Sequence, residues 1–106
     1  MKPHVKLAAF LCLALFVGVR GFAQGPGADT FKSQCAPCHG ADGTGNTPVG
    51  KALKAASFKD PAIVKTPDAA LISIVKNGKD KMPSFSAKLS DDQIKAVVAY
   101  IRSLEK

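Results

Sequence analysis

Five consecutive residues concentrate the reactive side chains of this sequence: Cys35-Ala36-Pro37-Cys38-His39. Two thiols three positions apart share one helical turn, and an imidazole follows the second directly. Four chemistries use such a group. A thiol–disulfide redox pair calls for a βαβ setting, and no stretch of the chain alternates with the two-residue period of a strand. A structural zinc site takes four ligands, commonly Cys and His. Beyond residue 23 the chain offers only Cys35, Cys38 and His39 of those types. A disulfide between the two cysteines would close a loop too short to restrict the unfolded chain much, and it leaves the imidazole without a task. The fourth chemistry is attachment of a c-type haem, for which C-x-x-C-H is the pattern. Each thiol can form a thioether to a vinyl group on one porphyrin edge, and the neighbouring imidazole then swings beneath the iron. This reading makes Cys35 and Cys38 the covalent anchors of one haem c and His39 an axial ligand.

Six-coordinate iron needs a second axial ligand. Beyond residue 23 there is no other His and a single Met, Met82. A lone Met is ordinarily a flexible core filler. Met82, however, precedes Pro83, which disfavours helical geometry at residue 82 and favours an extended loop from which the thioether can project. The sequence therefore predicts His39 and Met82 as the axial pair. Thioether sulfur favours the ferrous state and raises the potential, and the filled sixth position favours electron transfer over gas binding.

The elements that must position these groups occupy a short chain. The sequence has 106 residues and a net charge of +7, room for one small domain. Residues 1–23 read as a cleaved export signal: Lys2 and Lys6 precede the apolar run Leu7–Val19, and Gly21-Phe22-Ala23 supplies small residues for cleavage. The run of 13 residues falls short of the roughly 18–20 needed to span a bilayer. Cys12 lies inside it rather than after a small residue at its end, which argues against lipid attachment. Cleavage leaves residues 24–106 as the single domain, exported, with the periplasm as the expected location. Lys2, Lys6 and Arg20 leave with the signal and no acidic residue does, so twelve basic residues face eight acidic ones, a net +4. That mild excess has no basic run, and with no Trp and one Tyr it offers nucleic acid little. A domain this small has a marginal core of its own and commonly recruits a metal, disulfides or a cofactor.

Gln24-Gly25-Pro26-Gly27 reads as a flexible leader, with Asp29 as N-cap of a helix that places Phe31, Cys35 and Cys38 on one face. Four Gly and Pro48 mark residues 40–50 as loop. Asp42-Gly43-Thr44-Gly45-Asn46 lacks the later acidic ligand of a calcium loop and reads as a turn skirting the haem edge. Lys51–Ala56 predicts a turn or two of helix, and Phe58-Lys59-Asp60-Pro61 breaks it. A second helix starts at Thr66-Pro67 and ends at Asn77-Gly78. Lys79–Lys88 is loop. Ser90-Asp91-Asp92-Gln93 is a capping box, with Leu89 and Ile94 placed as a hydrophobic staple. Ile94, Val97, Val98, Ile101 and Leu104 then form an apolar stripe of helical period. The domain is all-α.

Together these residues resemble the class I c-type cytochromes, small single-haem electron carriers. The resemblance rests on Phe31 four residues before Cys35, the Cys35–His39 motif, Gly40 and Pro48, Lys81-Met82-Pro83-Ser84-Phe85, and Val97-Val98-Ala99-Tyr100-Ile101. Short bacterial carriers and photosynthetic ones are the most similar subgroups. The resemblance implies a cytochrome c-like fold of three main helices plus short helical turns wrapped around one covalent haem c. It implies that the first and last helices cross beside the haem, with Phe31 packed on Tyr100. It also implies that the Pro48 carbonyl accepts a hydrogen bond from His39 Nδ1, which would fix the imidazole. The expected protein is a monomeric carrier, not an enzyme, that shuttles one electron between membrane-bound redox complexes of a respiratory or photosynthetic chain. A haem-based catalytic or gas-sensing module is the alternative and requires a labile distal ligand. Lys51, Lys54, Lys76, Lys79, Lys81 and Lys88 would form a basic rim that steers the carrier onto acidic docking surfaces of its redox partners.

Overall fold

A computed structural model describes residues 25–106; the segment 1–23 expected to be an export signal lies outside the described residues. Helix α1 (Gly27–Thr30) runs through a π-helical segment (Phe31–Cys35) into α2 (Ala36–His39). After it come α3 (Pro48–Leu53), α4 (Pro61–Val64), α5 (Asp68–Asn77) and α6 (Asp91–Ser103). Among the described residues, extended pairing amounts to one isolated bridge between Lys79 and Met82. The all-α class holds: residues 27–39, α5 and α6 are the three main units, and α3 and α4 are the short turns.

The first helix begins earlier than the sequence predicts. Pro26 occupies the N-cap without a side-chain bond, and Asp29 lies within the first turn rather than capping it. Packing explains the shift. A Cβ on Gly27 would lie 2.2 Å from the Ala96 carbonyl oxygen and 2.9 Å from Val97 Cα. The bare glycine therefore lets the α1 and α6 backbones touch, and this contact overrides the poor helix propensity of Gly-Pro-Gly. Phe31 lands at the junction, 1% exposed, its ring centroid 5.2 Å from that of Tyr100, as the resemblance implies.

The last helix follows its sequence signals. Ser90 N–H donates to Gln93 Oε1 at 2.8 Å and Gln93 N–H to Ser90 Oγ at 3.1 Å, the reciprocal capping box. Leu89 and Ile94 are both buried on either side of it. Ile94, Val97, Val98 and Ile101 face inward and join Phe31, Leu71 and Val75 in one core. Arg102 ties the far end of α6 to the α4–α5 connection: its guanidinium meets Asp68 at 2.8 Å and the Ile63 carbonyl at 3.2 Å, and also reaches the Thr66 carbonyl.

Three boundaries move for local reasons. Helix α3 occupies 48–53 rather than 51–56, because Thr47 Oγ1 accepts from Gly50 N–H at 2.8 Å and Pro48 fills the first turn. The break at 58–61 is followed at once by α4, where Asp60 Oδ1 accepts from Ala62 N–H at 2.9 Å and Pro61 opens the turn. In α5, Pro67 is the N-cap and Asp68 the first helical residue. Gly78, at φ 83°, ends that helix as predicted.

Candidate cofactor cleft

A cleft of about 320 Å³ opens between the end of α2, the chain from 53 to 58, α5 and the loop after it. Cys35, Cys38 and His39 of the pentapeptide and the sequence-distant Met82 all line it. Its walls are otherwise largely apolar: Phe58, Ile63, Leu71, Ile74, Val75, Phe85 and Ile101. A small set of polar groups in an apolar hollow is the common form of a cofactor site.

Cys35 ends the wide turn of the first helical unit, and Cys38 lies in α2 directly after it. In the π-helical segment the Ala36 N–H bonds the Phe31 carbonyl, one residue further back than in an α-helix. Cys35 is buried and Cys38 half-buried, and neither is in a disulfide. Burial, reinforced by the nearby Cys38 thiol, pushes the Cys35 thiol up to about 11, so it is protonated at neutral pH.

His39 Nδ1 lies 3.1 Å from the carbonyl oxygen of Ala56. Since a carbonyl only accepts, Nδ1 carries the hydrogen and Nε2 keeps its lone pair. Desolvation lowers the imidazole pKa, with the Ala56 bond opposing it, so the ring stays neutral and able to ligate. Its partner is not Pro48. Pro48 is the first residue of α3, and helical geometry sends its carbonyl along the axis of that helix; it does not line the cleft. Ala56, beyond the left-handed Lys54 (φ 60°) that ends α3, is the residue whose carbonyl turns back to the imidazole.

The loop between the motif and Ala56 is tied to the motif by backbone and hydroxyl bonds. Gly45 N–H donates to the His39 carbonyl at 2.6 Å. The Thr47 hydroxyl lies 2.9 Å from the Cys38 carbonyl and 3.1 Å from that of Pro37 while accepting from Gly50 N–H. Gly50 is pressed against the same carbonyl: a Cβ there would lie 2.2 Å from Cys38 O and 2.5 Å from Gly45 O. Asp42, weighed as a calcium ligand, instead accepts from the Thr44 hydroxyl at 2.8 Å and its N–H at 3.1 Å, a local turn.

Met82 ends a tight turn in which Met82 N–H donates to Lys79 O at 2.8 Å and Lys79 N–H to Met82 O at 3.1 Å. Asp80 takes the left-handed conformation the turn needs, φ 53°, a state that Asp tolerates better than most residues. Phe85 N–H to Val75 O at 3.0 Å and Ser84 Oγ to Lys76 O at 2.6 Å fasten the loop to the end of α5.

Of the six rim lysines, Lys54, Lys79 and Lys81 border the cleft and are exposed. Lys51, Lys76 and Lys88 do not line it; Lys76 pairs with Asp91 at 3.1 Å. Sequence reasoning missed Ala56, Thr47 and Phe58. A backbone acceptor leaves no side-chain signal, but Thr47 before Pro48 is a legible cap, and Phe58 is an aromatic beside a predicted break.

The donor set fits a covalently attached haem: two unpaired thiols, an imidazole with a free Nε2 and a thioether, all facing one apolar hollow. Residues 23–101 match the family described as "Cytochrome C oxidase, cbb3-type, subunit III". A cytochrome c6 from Leptolyngbya boryana is 40% identical over 75 residues, 71% of this chain and 85% of that protein. A cytochrome c6 from Thermosynechococcus vestitus is 37% identical over 106 residues, covering 95% of this chain and 91% of its own. Among solved structures, the KustC0563 c-type cytochrome superposes with a TM-score of 0.70 at 33% identity, over 76% of this chain and 98% of that one.

Proposed function

Because the chain belongs to the class I c-type cytochromes and carries a covalent haem c, we propose that it is an exported one-electron carrier with His39 and Met82 as axial ligands. Cys35 and Cys38 are the thioether anchors. Convergence of these four side chains on one cleft is the observation that carries the reading.

Bound haem supplies the one-electron iron couple. The protein sets how that couple behaves. Nδ1–H bonded to Ala56 holds the imidazole in one tautomer and increases the donor strength of Nε2. Ala56 takes the part first assigned to Pro48. Met82 sulfur is a weak donor that favours the reduced state. With His39 and Met82 both holding the iron, no position would be left for a gas or a peroxide, and the apolar walls would limit the access of water. The reading is therefore electron transfer rather than catalysis or sensing. Lys54, Lys79 and Lys81 give the mouth of the cleft a positive rim suited to acidic docking surfaces on membrane-bound redox complexes. Among the described residues no helix is long and apolar enough to cross a membrane.

The test is an intact mass and a visible spectrum of the protein purified from the periplasm of a cytochrome-maturing host. Residues 24–106 plus one haem, with a sulfur-to-iron charge-transfer band in the ferric form, are expected. Rapid, tight carbon monoxide binding to the reduced protein would overturn the axial assignment.

A further inference from the structure

We propose that Phe58 is a positioning residue for His39, the flat wall that sets the rotation of its imidazole. The two rings are stacked, with centroids 4.6 Å apart and planes 26° from parallel. Phe58 is itself immobilised. It is 6% exposed, and its edge meets Phe31 at 5.9 Å and 62°. Its far side presses on Gly43, where a Cβ would come within 2.7 Å of Phe58 Cδ2. Phe58 N–H also donates to the Gly43 carbonyl at 2.8 Å, which pins the residue to the loop that follows His39.

One hydrogen bond fixes the direction of an imidazole more firmly than its plane. Rotation about the His39 Cβ–Cγ bond is a broad, soft torsion, and a hydrogen bond tolerates tens of degrees of misalignment, so the ring can rock while Nδ1 keeps its contact with Ala56. A stacked aromatic face removes this remaining freedom, since tilting would drive ring carbons into the Phe58 π-surface. Ala56 and Phe58, two residues apart, thus hold His39 in two independent senses, by direction and by plane. In a ferric low-spin centre the plane of an axial imidazole, together with the direction of the thioether lone pair opposite it, sets which iron d orbital holds the unpaired electron. The orientation is therefore directly readable. This inference rests on His39 being an axial ligand.

The experiment compares wild type, Phe58→Leu, Phe58→Tyr and Ile94→Ala as holoproteins. In the reduced wild type, nuclear Overhauser contacts between His39 and Phe58 ring protons are expected. In the ferric proteins the hyperfine-shifted haem methyl resonances report the imidazole plane. Phe58→Leu, which keeps an apolar filler but loses the flat face, should change the spread and order of the four methyls. Phe58→Tyr should keep the wild-type order. Ile94→Ala, a loss from the core at a residue that does not line the cleft, should leave it alone. An unchanged pattern in Phe58→Leu, or the same change in Ile94→Ala, overturns the proposal. If Phe58→Leu does not fold, the wild-type contacts decide, and their absence overturns it. A wild-type spectrum without ring-current-shifted His39 protons instead shows that His39 is not a ligand, which removes this proposal and the axial assignment together.

Discussion

Replacing Gly50 by alanine sets a small intrinsic gain against a large local clash. The gain is helix propensity, about 1 kcal/mol for Gly to Ala inside a helix. The clash is with backbone: the new Cβ would lie 2.2 Å from the Cys38 carbonyl oxygen, whereas real Cβ contacts essentially never fall under 3.0 Å. Neither the carbonyl nor Gly45 O, at 2.5 Å, can swing aside as a side chain would. Helix α3 must retreat, and the Thr47 hydroxyl bonds to Cys38 O (2.9 Å) and Pro37 O (3.1 Å) stretch with it. Overpacking costs about 1–3 kcal/mol, and a weakened hydrogen bond costs about 1 kcal/mol more. After the propensity gain, the net loss is about 1–3 kcal/mol, a sizeable part of the roughly 4–12 kcal/mol expected for a domain this size. Urea unfolding of the holoprotein, followed by far-ultraviolet circular dichroism, should show a midpoint lowered by about 0.5–1.5 M for a slope near 2 kcal/mol/M. Because α3 leads directly to Ala56, hydrogen exchange at His39 Nδ1 should also quicken. A midpoint equal to or above wild type would refute the reasoning.

Other outcomes follow from the same geometry. Met82→Ala should retain the covalent haem but lose the sulfur-to-iron band and lower the reduction potential; a persisting band would mean that another atom is the ligand. Lys54→Gly removes a side chain from a left-handed position, φ 60°, and should raise stability by about 0.5–1 kcal/mol in urea unfolding with the axial spectrum unchanged. Stopped-flow electron exchange with an acidic redox partner should slow steeply as ionic strength rises. The Lys79→Ala/Lys81→Ala variant should flatten that dependence, and a flat wild-type profile would discard the basic rim.

Signals confined to neighbouring residues were legible in the sequence. The Ser90–Gln93 capping box and the stripe from Ile94 to Ile101 act within a few turns and stand in the structure as predicted, and the Cys35–His39 pentapeptide lies at the cleft. What escaped depends on contacts between distant segments. Gly27 looks like leader sequence until Ala96, 69 positions away, is seen lying on it. The Pro48 carbonyl is what the resemblance implies as acceptor for His39, and the path of the chain from Thr47 to Ala56 places the Ala56 carbonyl there instead. Ala56 has no side-chain chemistry to announce its role. Phe58 was read as part of a break because its partners, His39 and Phe31, lie on another helix.

The wide turn at Phe31–Cys35 makes the first helical unit a phase adaptor. Upstream of it, Gly27 and Phe31 must meet α6; downstream, Cys35, Cys38 and His39 must meet the cleft. Each residue of a regular α-helix advances the winding by about 100°, from 3.6 residues per turn. Dropping one residue from this segment would rotate one end against the other by about that angle, so that the crossing or the thiols, but not both, could face their targets. Chain length through residues 31–35 is thus constrained more tightly than identity: exposed Lys32 and Ser33, which do not line the cleft, are open to exchange, and the number of residues is not.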